Sequence, residues 1–259
     1  MPNARVKART LSGFEEGLFA WMTLNKKGHG EDFGIVEMGG ASAQVAFPCP
    51  DCADAKTILI DNNKRIKMFS YSFLGLGGNE AGKNEVISTS PTTITVTVDQ
   101  KSQKKEERSI PKSCVIGNSP EGCKGALKLT NGKEEIFDPY NYGSAETGKG
   151  IYKALPQQQI KKVATWFGTG AFAYSYKPET KTSSYCKGEA PAAAHEPETA
   201  CFREVYFPTF LNAVGVDANQ YKSSTTSWTL GAASCERENC LAEAELECNW
   251  MENQECLKN

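Results

Sequence analysis

The chain has 259 residues, 39% hydrophobic and 23% charged, with 29 basic and 31 acidic side chains and a net charge of −2. At about 150 residues per domain this is one or two domains, apolar enough for a packed core. The balance excludes a basic field that would draw nucleic acid or acidic membranes, and no apolar run approaches the roughly 20 residues of a membrane helix.

In chain order, residues 5–11 read as a short strand. Ser12 and Gly13 then stand where a helix N-cap belongs, and Phe14, Leu18, Trp21 and Met22 share one helical face. Glu15 and Glu16 in the first turn suit the helix dipole. Strand-like runs at 33–38 and 42–47 are joined by Gly39-Gly40-Ala41, a hairpin signal. A second hairpin is predicted across 61–64, between 57–60 and 66–73. A glycine-rich loop at 74–79 enters a helix around Glu80, and 92–98 reads as a β-branched strand. The charge run KSQKKEER at 101–108 reads as a solvated loop. Residues 153–165 have helical spacing, and 167–176 form an aromatic, small-residue segment. Residues 178–200, rich in Pro, Ala, Glu and Ser, read as an exposed insertion. A helix follows over 202–214, with Pro208 placed to kink or end it. The mix predicts an α/β fold.

Ten cysteines, at 49, 52, 114, 123, 186, 201, 235, 240, 248 and 256, against two histidines favour disulfides over mixed zinc sites. Cys114 is expected to pair with Cys123, and Cys186 with Cys201 to tie the insertion. Cys49-Pro-Asp-Cys52 reads as a local disulfide or as halves of longer-range pairs, and the pairing of the last four is open. Residues 1–10 carry no apolar run, so no signal peptide is read there. A disulfide-type composition without one reads as a fragment belonging in a secreted or other extracytoplasmic, lumenal setting.

Two stretches carry chemistry. EMGGASAQ at 37–44 ends a strand on a carboxylate and follows it with two glycines, a hydroxyl and an amide. Successive N–H groups in such a turn form a nest for phosphate oxygens, and Glu37 beside it is placed to hold a divalent cation, directly or through water. The bland alternative is an ordinary hairpin with a surface glutamate. SGFEEG at 12–17 puts Glu16 before a glycine at a helix start, where a carboxylate can take a proton from water attacking phosphorus. Its alternative is that both glutamates only stabilise the helix end.

Together these stretches resemble the apyrase family, the ecto-nucleoside triphosphate diphosphohydrolases of the actin and sugar-kinase superfamily. SGFEEGLFAW, with Asn25 after it, is similar to the family's third conserved region and EMGGASAQ to its fourth. SYSFLGLG at 70–77 is similar to the Ser-Phe-Leu-x-x-Gly element that follows, and SWTLG at 227–231 to the fifth region. The resemblance implies an RNase-H-like lobe, a mixed sheet flanked by helices. Residues 1–223 would be a second phosphate-binding lobe, and 224–259 a closing segment returning to the first. It implies hydrolysis of the terminal phosphates of nucleoside tri- and diphosphates by metal-assisted in-line attack of water, with Mg²⁺ or Ca²⁺.

In that reading Glu16 is the general base, and Ser42 and Gln44 position the water. Gly39, Gly40, Ala41 and Ser42 line the phosphate, and Trp228 packs near the phosphate cleft, a core role being the equal alternative. Glu37 holds the metal through water, one methylene longer than the family's usual Asp. Asn79 and Glu80 follow a loop that serves the nucleoside side in relatives, although the basic residue some relatives carry there is Gly78 here. Tyr174 and Tyr176 are candidates to stack a nucleobase, against a core or rim role.

The family's first two regions, an Asp-x-Gly-Ser hairpin and an Ala-Thr-Ala-Gly element, are not found in residues 1–259. A complementary chain carrying the first lobe is therefore an expected partner beside the nucleotide. Two rivals remain: an exopolyphosphatase-like hydrolase, which SWTLG and the cysteines disfavour, and a non-catalytic nucleotide-binding fragment.

Overall fold

The structure, a computed structural model, describes residues 9–61, 63–83, 88–99, 101–127, 129, 135–138, 151–175, 185–188 and 196–244. Its elements are α1 (Gly13–Leu24), β1 (Gly34–Met38), β2 (Ser42–Pro48), β3 (Lys56–Ile60), β4 (Lys64–Leu74), β5 (Pro91–Asp99), β6 (Lys104–Pro111), α2 (Pro120–Gly125), β7 (Glu135–Asp138), β8 (Ile151–Ala154), α3 (Gln157–Ile160), β9 (Trp166–Gly170), α4 (Ala171–Ser175), α5 (Ala200–Val214), β10 (Tyr221–Ser223) and α6 (Thr229–Glu238).

Six strands form one mixed sheet in the order β10-β9-β1-β2-β4-β3. β1 and β2 pair antiparallel, as do β2 with β4 and β4 with β3, whereas β9 runs parallel to both β1 and β10. Leaving out edge strand β3, only β2 opposes the rest. This is the sheet of an RNase-H-like lobe, as the resemblance implied. Each face of the sheet has its own core. Ile35 and Ala46 pack under Phe14, Leu18 and Trp21 of α1, with Cys235 of α6 beside them. Val36, Met38, Val45 and Phe73 pack on the other face with Phe202, Tyr206, Phe207 and Phe210 of α5. Every residue of β1 is buried, as a central strand covered on both sides should be.

Both hairpins form where the glycine and Asp-Asn signals place them. α1 starts as expected: the Ser12 hydroxyl accepts from the Glu15 N–H at 3.2 Å, and Glu15 Oε2 accepts from the Ser12 N–H at 2.8 Å, a capping box. Glu15 also pairs with Arg9 at 2.6 Å, so of the two adjacent glutamates it is the one that holds the helix end.

Several expectations need correction. The charge run is only partly loop: residues 101–103 make an exposed turn, and from Lys104 on the run is β6, paired with β5, placing Thr95 opposite Glu107 and Thr97 opposite Lys105. This two-stranded ribbon leaves most of its side chains at the surface, so charged residues alternate without cost. Residues 153–165 give only β8 and the single turn α3, because Pro156 breaks the helical run at its start. Among the described residues, helix after the glycine-rich loop is a three-residue turn, Ala81–Lys83, and residues 84–87 lie outside them. α5 runs through Pro208 rather than ending there. The Thr209 hydroxyl donates to the Val205 carbonyl at 2.6 Å, supplying a bond where the proline distorts the ladder. Residues 9–12 are not strand, and the rest of that expectation lies outside the described residues. The end of the supposed insertion is not exposed either: Glu196, Thr199 and Ala200 are buried.

Four disulfides form, Cys49–Cys52, Cys114–Cys123, Cys186–Cys201 and Cys235–Cys240. Cys248, Cys256 and Tyr176 lie outside the described residues.

Candidate active site

The site is built where β1 and β9 end, the rim at which open α/β sheets bind ligands. Cross-strand register sets Ser72, Gln44, Glu37 and Thr169 in one row across β4, β2, β1 and β9. Residues paired in register share a sheet face, so this is a polar row on the α1 side, directly beyond the apolar row of Ala46, Ile35 and Phe167.

α1 approaches that row unusually closely. A Cβ on Gly17 would stand 2.4 Å from Ser70 Oγ and 3.2 Å from the Ala46 Cβ, and one on Gly13 would stand 2.3 Å from the Ser72 Cβ. With no side chain at either position, the helix drops onto β2 and β4 and carries Glu16 to the edge of the row. The Ser42 hydroxyl donates to Glu16 Oε2 at 3.2 Å, and Gln44 Nε2 donates to the same oxygen at 2.6 Å. The Gln44 amide also reaches Ser42 Oγ at 2.8 Å and Ser72 Oγ at 3.0 Å. Both donors converge on Oε2, which leaves Oε1 to accept from another molecule. Burial raises the Glu16 carboxyl above its ordinary value despite the Ser42 hydrogen bond, making it a stronger proton acceptor.

Glu37 is 8% exposed, and its Oε2 has no hydrogen-bond partner among the described residues. Burial, then the charge of Glu16, push its carboxyl up to about 8. Its register neighbour Thr169 is 1% exposed and likewise has a buried hydroxyl with no partner there. Buried polar atoms left this way are uncommon, and two side by side fit a bound cation and its water. Among the described residues no group of three or more His, Cys, Asp or Glu is placed to hold a metal, so these residues do not form an all-protein cage.

The Gly39-Gly40 turn is closed by the Gly39 N–H donating to the Ser42 carbonyl at 2.9 Å. The glycine-rich loop is stitched onto it: Gly75 donates to Ala41, and Gly78 and Asn79 to Gly39 and Gly40, at 2.8–2.9 Å. A Cβ on Gly77 would lie 2.4 Å from the Ser42 nitrogen, so only glycine lets the two loops nest. Gly40 and Ala41 stay exposed, and their N–H groups make no hydrogen bond within the described residues.

Beside this turn opens a cavity of about 450 Å³, lined by Gly39, Gly40, Asn79, Tyr174 and Arg203 among others. Tyr174 is 67% exposed on its rim. Trp228 does not line it: it stands half-exposed at the head of α6, whose Gly231 rests against Phe19 and donates to the Thr23 hydroxyl at 2.8 Å. Glu16, Ser42 and Gln44 therefore come together, Glu37 lies beside them, Gly39 to Ala41 form the adjoining turn, and Trp228 is not among the residues lining the cavity. Sequence reasoning missed Thr169 and Arg203. The signal for the second was an Arg-Glu pair inside an otherwise apolar helical stretch.

A family model described as the GDA1/CD39 (nucleoside phosphatase) family matches residues 1–162. Probable apyrase 6 of Arabidopsis thaliana is 26% identical over 280 residues, spanning 87% of this chain and 50% of that protein. Ectonucleoside triphosphate diphosphohydrolase 6 of Homo sapiens is 35% identical over 80 residues, 26% of this chain and 16% of that protein. A solved nucleoside triphosphate hydrolase from Neospora caninum superposes with a TM-score of 0.45 at 15% identity, spanning 89% of this chain and 64% of that one. The chain thus spans half the length of the Arabidopsis relative and less of the human one.

Proposed function

The chain belongs to the GDA1/CD39 (nucleoside phosphatase) family, and we propose that it hydrolyses the terminal phosphates of nucleoside tri- and diphosphates. The observation that carries this reading is the convergence of Ser42 and Gln44 on one oxygen of Glu16 at the mouth of a glycine turn whose Gly40 and Ala41 N–H groups make no hydrogen bond within the described residues. Phosphoryl transfer asks a protein chiefly to position the nucleophile and stabilise charge. Gly40 and Ala41 offer backbone donors to the terminal phosphate, with Gly39 shaping the turn and Ser42 at its end. Ser42 and Gln44 hold the attacking water against Glu16, whose Oε1 takes the proton as the P–O bond forms in line with the leaving oxygen. No covalent intermediate is needed.

Glu37, with Thr169 beside it, would hold a divalent cation through water, Mg²⁺ or Ca²⁺ in this reading. When bound, such a cation neutralises phosphate charge in the transition state. Tyr174 is exposed at the cavity rim and available for a nucleobase. Trp228 and the segment 224–259 are assigned to the closing face toward a first lobe, which supplies the opposing phosphate hairpin. Four disulfides favour an extracytoplasmic, oxidising compartment, and no helix among the described residues is long and apolar enough to cross a membrane.

The test is phosphate release from ATP, ADP and long-chain polyphosphate, with Mg²⁺ or Ca²⁺, by this chain alone and complemented with a first lobe. Negligible turnover alone and nucleotide hydrolysis after complementation support the reading. Preference for polyphosphate, or nucleotide binding without phosphate release by the complemented protein, overturns it.

A further inference from the structure

One residue lining the cavity, Arg203, belongs to a buried ionic network that the reaction described above does not use. Glu196 is 1% exposed, and each of its oxygens meets a guanidinium: Arg108 Nη2 donates to Oε1 at 2.8 Å, and Arg203 Nη2 to Oε2. The same Arg203 Nη2 donates to Asn79 Oδ1 at 3.3 Å. Arg203, 3% exposed on α5, has its position set by Glu196 on one side and by the aromatic packing of α5 on the other.

This contact fixes which way the Asn79 amide faces. A guanidinium offers only donors, so it must meet the amide oxygen, and the NH₂ group is left on the other side. There Nδ2 lies 3.2 Å from where a Gly40 Cβ would be, directly over the exposed glycine turn. The backbone of Asn79 is pinned as well, its N–H donating to the Gly40 carbonyl at 2.9 Å. Nδ2 makes no hydrogen bond within the described residues. The two N–H bonds of the Asn79 amide are therefore held at the cavity beside Gly40, next to the backbone N–H groups of Gly40 and Ala41 that make no hydrogen bond within the described residues.

We propose that Asn79 is a phosphate-binding residue of this cleft, its amide aimed by Arg203, which acts as a positioning residue through the Glu196–Arg108 pair. The ligand group is a non-bridging phosphate oxygen of a nucleoside di- or triphosphate, and the assignment rests on the nucleotide reading of the site. The loop residue at 78 offers no cation, being glycine; here the charge is brought to the same wall from α5, one turn before Phe207, whose ring edge lies 3.8 Å from where a Gly78 Cβ would be.

Asn79→Asp is the decisive variant. It keeps an oxygen for Arg203 and the same shape, and changes only the cavity-facing atom from a donor to an anionic acceptor. Calorimetry with a methylene-bridged, non-hydrolysable ADP analogue should show binding weakened about 10- to 100-fold, while adenosine affinity and thermal stability stay at wild-type values. Asn79→Ala should weaken the analogue less. Arg203→Lys should weaken it too, and combining it with Asn79→Ala should add nothing further, since both act through one amide. Equal analogue binding by wild type and Asn79→Asp overturns the assignment while leaving the proposed function intact. An equal loss of adenosine affinity overturns it in favour of a ribose contact, and additive losses overturn the positioning role of Arg203. A wild-type chain that binds no analogue overturns both the assignment and the nucleotide reading.

Discussion

Replacing Glu37 with glutamine should remove a large pH dependence from the stability of the fold. The carboxyl rises from 4.5 to about 8, through burial first and the Glu16 charge second. At 1.36 kcal/mol per unit that is about 5 kcal/mol of preference for the protonated form, a large share of ordinary domain stability. A folded-state value above the unfolded one means the native protein holds its proton more tightly. This group's stability is therefore complete below pH 4.5 and is lost as pH climbs toward 8. Urea unfolding with a chelator present, at steps from pH 5 to 8, reads this directly. The gap between wild type and Glu37→Gln should widen by about 1.4 kcal/mol per pH unit. Because Glu16 contributes to the shift, the gap should shrink in a Glu16→Gln background. Added Mg²⁺ or Ca²⁺ should restore wild-type stability near pH 8 and leave Glu37→Gln unchanged, since a cation competes with the proton for the same oxygen. Parallel curves for wild type and Glu37→Gln across the whole range would refute the reasoning: Glu37 would then be solvated.

In the complemented enzyme, Glu16→Gln should lower kcat by about 10²–10⁴-fold with nucleotide affinity retained; a near wild-type kcat there, with loss in Glu37→Gln instead, would move the base to the other glutamate. Gly17→Ala puts a methyl 2.4 Å from Ser70 Oγ and should destabilise by about 1–3 kcal/mol, while also lifting Glu16 away from Gln44; urea unfolding and kcat together check both effects. Non-reducing peptide mapping should recover the Cys114–Cys123 and Cys186–Cys201 peptides as linked pairs, and opening the second, which spans 15 residues, should cost about 3 kcal/mol.

The elements that sequence made legible are those decided by local chemistry. A serine at a helix N-cap, a Gly-Gly turn between apolar runs and an Asp-Asn turn each need only a few neighbouring residues, and each forms as read. What was not legible depends on partners distant in the chain. Residues 104–108 of the KSQKKEER run are strand because the β-branched strand β5 runs beside them, and polarity alone reports solvation rather than conformation. Residues 157–160 make only one turn because Pro156 interrupts a periodic stretch that counting apolar positions had joined. At the candidate site, Glu16, Glu37, Ser42 and Gln44 were legible as candidates, with roles that only the family resemblance divided among them. Nothing in Glu15-Glu16 alone says which glutamate is taken by the cap and which faces the cleft.

The division follows from helix geometry. Consecutive residues on a helix are separated by about 100°, so the Ser12 capping box, by claiming Glu15, turns Glu16 to a different side. That side is set against the sheet by Gly13 and Gly17, four residues apart and so on one face of α1, where β2 and β4 leave room for no side chain. The glycine after Glu16 therefore shapes the candidate site: its missing Cβ sets the helix-to-sheet distance, and that distance sets the 2.6 Å contact between Gln44 and Glu16. The same logic holds across the turn, where Gly77 lets the loop carrying Asn79 lie on the hairpin backbone. The placement of Glu16 beside Ser42 and Gln44, and of Asn79 beside Gly40, thus rests on backbone approaches that only glycine allows. Alanine at 13, 17 or 77 should then lower both phosphate release and stability to urea, because a Cβ 2.3–2.4 Å from the Ser72 Cβ, Ser70 Oγ or the Ser42 nitrogen pushes the helix off the sheet or the loop off the hairpin and separates Glu16 from its donors.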